Sequence, residues 1–320
     1  MARLTTEMQI RSSGDAITLP QEQRYPLDLM RRNPALHDRY LESNRRMWDV
    51  DGDVRWTKLD AAAHTTAAAQ AAGYVWSWQA WVAFRDITTC EATLVRSCLE
   101  RDVAADLKFC LATRASERAA AADAGAEIAA RLGGYRDRPA TVELETLFDT
   151  DMVRRVLHEG VDLDALLVAH FALVPAVDRA VAEARRASSN EPAVIDVLQH
   201  VVDDLRRQET WAWTYLHGQL PTRTHDSLNG IGRNLAEVLA SDLLLGARWP
   251  ALIDPSLPGV DSVIAAEELA ADSGLGGLAA AQQVQVVDTA LAASIDRLGA
   301  LGVPVSEAHS VISKLVRRTG

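Results

Sequence analysis

The chain has 320 residues, of which 48% are hydrophobic and 24% charged, the composition of a globular protein with a substantial core. Its formal net charge of −11 argues against nucleic-acid binding, because a phosphate-binding surface needs a basic footprint. Three cysteines with no Cys-x-x-Cys pair favour free thiols in a reducing compartment. With no signal-peptide core and no apolar run long enough to span a bilayer, we expect a cytoplasmic protein without membrane contact.

Helical signals dominate from the first third of the chain onward, which predicts an all-α fold. Residues 1–58 are predicted to be an N-terminal arm with a short helix at 33–50. Residues 59–247 form the main helical domain, and 248–320 a C-terminal helical extension. Within these parts, helical spacing predicts helices at 60–82, 86–104, 105–132, 141–158, 162–187, 191–219, 225–246, 260–272, 278–300 and 305–318.

Element boundaries rest on cap and breaker residues. Asp162 is a candidate N-cap for the helix that follows it, and Pro175 is expected to kink that helix or to mark its first turn. The proline-rich segment 248–259 is the clearest candidate linker. Strand signals are weak throughout, since no run of alternating β-branched residues and no Asn-Gly turn occurs.

Common catalytic and nucleotide motifs are absent from the sequence. It contains no GxxxxGK[ST] loop, no GxSxG elbow, no HExxH pair and no Cys-x-x-Cys pair. A remaining possibility is a metal site formed by side chains that project inward from several helices. A carboxylate-bridged diiron centre takes a Glu from each of two helices and a Glu-x-x-His from each of two others.

Four segments follow that helical layout: "RDITTCEATLV" (85–95), "ATRASERAAA" (112–121), "LLVAHFALVP" (166–175) and "DDLRRQ" (203–208). Their order resembles that of the ferritin-like diiron oxygenases. In that register Glu91 occupies the first Glu position and His170 lies near the third. The two Glu-x-x-His positions hold other residues, namely Arg118 with Ala121 and Leu205 with Gln208.

The chain resembles most the iron-free β subunits of bacterial multicomponent monooxygenase hydroxylases, of the methane, phenol, toluene and alkene types. The similarity lies in "FRDITTCEATLV" (84–95) and "DDLRRQETWAWTYL" (203–216). It implies a ferritin-like helical bundle with extra C-terminal helices and no cofactor in this chain. It also implies a catalytic α-type partner that holds the diiron centre, together with a small regulatory protein and a reductase.

Two other functions stay open. The first is an active ferritin-like diiron oxygenase with unusual ligands, drawn from Glu91, Glu117, His170, Glu209 and His200. The second is a non-enzymatic all-α interaction protein. For the positions themselves we expect a structural polar cluster of Glu91, Arg118, His170 and Gln208, because a buried carboxylate needs a charged or hydrogen-bonding partner.

Overall fold

The computed structural model describes residues 9–12, 15–18, 32–99, 103–148, 162–240 and 248–319. Helices dominate these ranges, so the all-α prediction is confirmed. We number the helices in chain order: α1 Pro34–Arg45, α2 Thr66–Leu99, α3 Ala105–Leu132, α4 Val142–Thr146, α5 Leu163–Ser188, α6 Pro192–Gln219, α7 His225–Ala240, α8 Val260–Asp272, α9 Ala280–Ala300 and α10 Ser306–Thr319.

An antiparallel hairpin near the N-terminus is the exception to the helical fold. Its strands are β1, Gln9–Ser12, and β2, Asp15–Thr18. The sequence analysis predicted an arm without strands here, and that detail is wrong. Strands of four residues are too short to produce a recognisable alternating pattern.

Helix α2 runs without a break where the sequence predicted two helices, at 60–82 and 86–104. No proline or glycine interrupts residues 74–99, so nothing in the backbone requires a break there. Helix α3 packs antiparallel on α2. The two backbones approach so closely that a Cβ at Gly73 would lie 2.9 Å from the Cα of Gly133. Glycine is therefore required at this crossing.

Helix α5 begins as the sequence predicts and then contains an irregular turn. Asp162 caps it by accepting hydrogen bonds from the amides of Asp164 and Ala165. A π-helical segment spans Leu167–Leu173, just before Pro175. Because proline has no N–H and its ring crowds the preceding turn, a widened turn accommodates it without ending the helix.

Helix α5 is also the one described helix that is long and apolar enough to cross a membrane. Of its most apolar window, 83% is buried inside the protein. This burial is what the core helix of a soluble protein shows.

The four long helices α2, α3, α5 and α6 pack in pairs, α2 with α3 and α5 with α6, and α3 also contacts α6. The segment predicted as a linker packs into this core, with Trp249 only 1% exposed. Phe171 of α5, Trp211 of α6, Trp249 and Leu291 of α9 share one hydrophobic cluster. The linker interpretation is therefore wrong for residues 248–253, which are buried, and the domain boundary drawn there stays a prediction.

Candidate functional site

A group of ionisable side chains, all buried except the half-buried Asp178, lies between the long helices. Asp86 comes from α2, Arg114 and Arg118 from α3, and His170 and Asp178 from α5, while Arg248 precedes the 3₁₀ turn Pro250–Leu252. We call these six residues the arginine cluster. Arg114 and Arg118 lie four residues apart, so they share one face of α3.

Two ion pairs organise the arginine cluster around Asp86. The Nε of Arg118 lies 3.2 Å from the Oδ2 of Asp86, and the Nη2 of Arg248 contacts the other carboxylate oxygen. Arg248 also donates from Nη1 to the Oδ2 of Asp178 at 2.6 Å. The indole N–H of Trp249 donates to Asp178 at 3.1 Å. Arg248 therefore joins helix α2 to helix α5.

Burial and charge fix the protonation states in the arginine cluster. Burial alone would raise the pKa of Asp86, but Arg248, Arg118 and Arg114 hold that pKa well below its usual range. Burial, with the charge of Arg248, lowers the pKa of His170 to about 3, so the imidazole is neutral at neutral pH. Burial raises the pKa of the Cys90 thiol to about 11, so this cysteine is not a thiolate nucleophile.

A second buried group lies beside the first, with Glu117 between Arg114 and Arg118 in the sequence of α3. Glu117 of α3 and Asp204 of α6, which we call the carboxylate pair, share Arg207. The side-chain amide of Gln208 donates to Glu117 at 2.7 Å, and the Nε of Arg207 lies 3.5 Å from the same carboxylate. Arg207 also contacts Asp204, which accepts a hydrogen bond of 3.0 Å from the indole of Trp48.

The two carboxyl groups of the carboxylate pair share a single guanidinium group, and the pKa values of both are raised. Burial raises the pKa of Glu117 despite its contacts with Gln208 and Arg207. Burial and the nearby charge of Glu117 raise the pKa of Asp204 to about 8. At neutral pH, Asp204 therefore holds its proton, and one negative charge remains opposite Arg207.

Three of the four members of the expected polar cluster are buried, namely Arg118, His170 and Gln208. Glu91 is exposed on the outer face of α2, so its predicted inward position is wrong. The inward acid of this helix is Asp86, five residues earlier. The signal was available, because Asp86, Cys90, Thr93 and Ser97 recur at spacings of three and four and all four are buried.

Three positions of the diiron register line one cavity. Arg118, the half-buried Ala121 and the buried Leu205 lie on the wall of a cavity of about 50 Å³. Gln208 is fully buried and hydrogen-bonds to Glu117 of the carboxylate pair. The structure thus brings Arg118, Ala121 and Leu205 together around one cavity and leaves Glu91 outside it.

The alternative ligand set is dispersed. Glu91 is exposed, and Glu209 pairs with Arg179 at 2.9 Å. Glu117 is bound by Gln208, and His200 stacks on Trp48 with 4.7 Å between the ring centroids. Within the described ranges, no three His, Cys, Asp or Glu side chains are grouped closely enough to hold a metal ion.

Sequence reasoning missed Arg248, the residue that holds the arginine cluster together. It lies 162 positions from Asp86 in a segment that resembled a linker, and nothing local marks it as a core residue. The neighbouring Trp249 was the one available hint, because a large aromatic residue is seldom left in an exposed linker.

Comparison with known proteins identified no relative. No family model matches the chain, and no curated protein and no solved structure is significantly similar to it.

Proposed function

We propose that this chain is a metal-free, ferritin-like auxiliary subunit of a diiron oxygenase, and that it stabilises an iron-bearing catalytic partner. The observation that carries the proposal is the place of Arg118. Where the resemblance to diiron proteins expects a ligand Glu, a buried guanidinium pairs with Asp86 at 3.2 Å. A fixed cation at this position neutralises the inward carboxylate and repels a metal ion.

The other positions of the register support the same proposal. Ala121 and Leu205 carry no ligand atom. Gln208 uses its amide N–H to hold Glu117, so that carboxylate is engaged by a hydrogen-bond donor. Side chains at these four positions thus serve packing and internal hydrogen bonding, which suits a subunit that supports a partner.

The outer face of α2 offers a surface for such a partner. Phe84, Val95 and Leu99 are 65%, 50% and 59% exposed, and their spacing puts them along one side of the helix. Thr88 and the exposed Glu91 lie between Phe84 and Val95 on this side, but exposed apolar side chains aligned on one helix face still favour an interaction surface. We call these three residues the α2 stripe.

Co-expression tests the proposal directly. The partner to search for is a ferritin-like chain with two intact Glu-x-x-His motifs, encoded in a neighbouring reading frame; absence of such a frame would favour a non-enzymatic interaction protein. We expect the two chains to elute as one complex in size-exclusion chromatography, with iron bound by the partner alone. A small regulatory protein and a reductase would complete the oxygenase. Two irons per chain in this protein purified alone would contradict the proposal.

A matched pair of variants tests the docking surface. Phe84→Asp introduces a charge into the α2 stripe, and we expect it to abolish co-elution with the partner. Leu269→Asp is the control, because Leu269 is 38% exposed on α8, outside the stripe. Both variants should keep the circular dichroism of the parent protein. Equal co-elution of the two variants would place the interface elsewhere.

A further inference from the structure

The cavity between the long helices is lined by three arginines and one acid. Arg118, Arg185, Arg248 and Asp178 lie on its wall, among apolar residues and the rings of Trp76 and Trp249. Its volume of about 50 Å³ exceeds the roughly 10–15 Å³ that one water molecule needs on the same measure. The space can therefore hold a polar guest larger than a single water.

The lining arginines retain unused donors. The Nε atoms of Arg185 and Arg248 are buried and have no hydrogen-bond partner, whereas the Nε of Arg118 faces Asp86. The first two guanidinium groups use other atoms in ion pairs, as Arg185 does with Glu267 at 2.7 Å. Buried N–H groups without partners are costly, because they have lost water and gained nothing in exchange. Two such donors on residues that line one cavity point to an acceptor inside it.

The surrounding charges are unbalanced in the same direction. Four buried guanidinium groups, of Arg114, Arg118, Arg185 and Arg248, face three carboxylates, of Asp86, Asp178 and Glu267. The half-buried Arg85 adds a further positive charge near Asp86.

Nearby groups do not correct this excess. Arg114 lies over the ring of Phe171, 4.6 Å from its centroid, and its Nε and Nη1 have no partner. His170 is neutral, and its Nε2 has no hydrogen-bond partner either. In the carboxylate pair, Arg207 balances the negative charge that remains while Asp204 is protonated. The region around the cavity keeps at least one uncompensated positive charge.

We propose that this cavity binds a small monovalent inorganic anion of the size of chloride. The anion accepts hydrogen bonds from the unpartnered N–H groups of the lining arginines and offsets the excess positive charge of the surrounding guanidinium groups. The inference is independent of the proposed function, since it rests on this chain alone. It assigns a ligand to the place where a diiron protein would gather carboxylates around metal.

Thermal unfolding of the full chain tests the site. At a constant ionic strength of about 0.15 M, chloride replaces gluconate, which is too bulky for the cavity. Because a ligand that binds the folded state alone stabilises it by mass action, we expect a saturable rise of a few degrees in Tm with chloride. An unchanged Tm in the two salts would overturn the proposal.

Two neighbouring alanines on α3 give a matched pair that removes no charge. Ala121→Met fills the cavity, whereas Ala122→Met extends into an open surface groove beside Phe84. We expect the first variant to lose the chloride-dependent rise in Tm and the second to keep it. Loss of the rise in both, or in neither, would show that chloride acts elsewhere.

A crystal soaked in bromide locates the anion independently of stability. We expect an anomalous peak in the cavity, within hydrogen-bonding distance of the lining guanidinium groups. Peaks at exposed arginines alone would mean an adventitious ion only, and the proposal would fail. If Ala121→Met does not fold, this measurement on the parent protein still decides the question.

Discussion

The arginine cluster and the carboxylate pair are neighbours on α3, yet they solve the problem of buried charge in opposite ways. In the first, several guanidinium groups converge on Asp86 and hold the pKa of its carboxyl low. In the second, two carboxylates share Arg207 and their pKa values rise. The sign of the local excess charge, more than burial itself, decides whether a carboxyl in this interior is ionised.

Among the substitutions that test this difference between the two regions, removal of Arg248 should lower the stability of the protein most. Arg248→Met leaves Asp86 and Asp178 without their shared cation inside the protein. We expect the free energy of unfolding, measured in urea, to fall by about 3–5 kcal/mol. Arg206→Met is the control, because its 55% exposed side chain makes only surface pairs, and it should change stability by less than about 1 kcal/mol. Similar losses in the two variants would refute the central role of Arg248.

Titration of Asp204 should make the contribution of the carboxylate pair to stability depend on pH above neutrality. Folding raises the pKa of Asp204. The stabilisation that the protonated carboxyl provides is therefore fully present at pH values below its pKa in the unfolded chain, near 4, and is lost as the pH rises through about 8. The slope is at most about 1.4 kcal/mol per pH unit. Asp204→Asn removes the titration and keeps an acceptor for Trp48, so its profile should be flatter. Asp203→Asn, at a more exposed neighbour, should leave the slope unchanged.

His170 should produce the opposite pH dependence. Folding lowers the pKa of His170. The stabilisation that the neutral imidazole provides is therefore fully present above its pKa in the unfolded chain, 6.5, and is lost as the pH falls toward about 3. At pH 5 this amounts to about 2 kcal/mol. We expect His170→Leu to remove the loss between pH 6.5 and pH 5 in urea unfolding. His225→Leu, at an exposed histidine, should retain it. Parallel profiles for both variants would show that His170 is not the group responsible.

Much of the helical fold could be predicted because the chain marks it locally. Asp162 caps α5, Pro192 begins α6 and helical spacing predicted residues 260–272 for α8, as observed. The continuity of α2 could not be predicted with the same security, since the charged Arg85 and Asp86 interrupt its apolar pattern. Asp86 is held inside by Arg118 of α3 and by Arg248, which are distant in the sequence, so local spacing does not reveal its burial.

For the candidate site, the sequence predicted which residues of some helices point inward but not the contacts that these residues make. The resemblance placed Arg118, His170, Gln208 and Glu91 inward, and the first three are buried. Glu91 is exposed, and the small residues Cys90 and Thr93 occupy the buried face instead. Arg248 escaped prediction because its role depends on a contact between distant parts of the chain.

The π-helical segment of α5 has a consequence for how the cavity wall is assembled. A widened turn adds a residue to the helix without ending it, so each later side chain is turned by about 100° from where a regular helix would carry it. The segment Leu167–Leu173 thus sets the direction around the helix axis in which the cavity-lining Asp178 and Arg185 project relative to the first part of α5. Deletion of one residue there would restore a regular helix and swing both charged side chains away from the cavity.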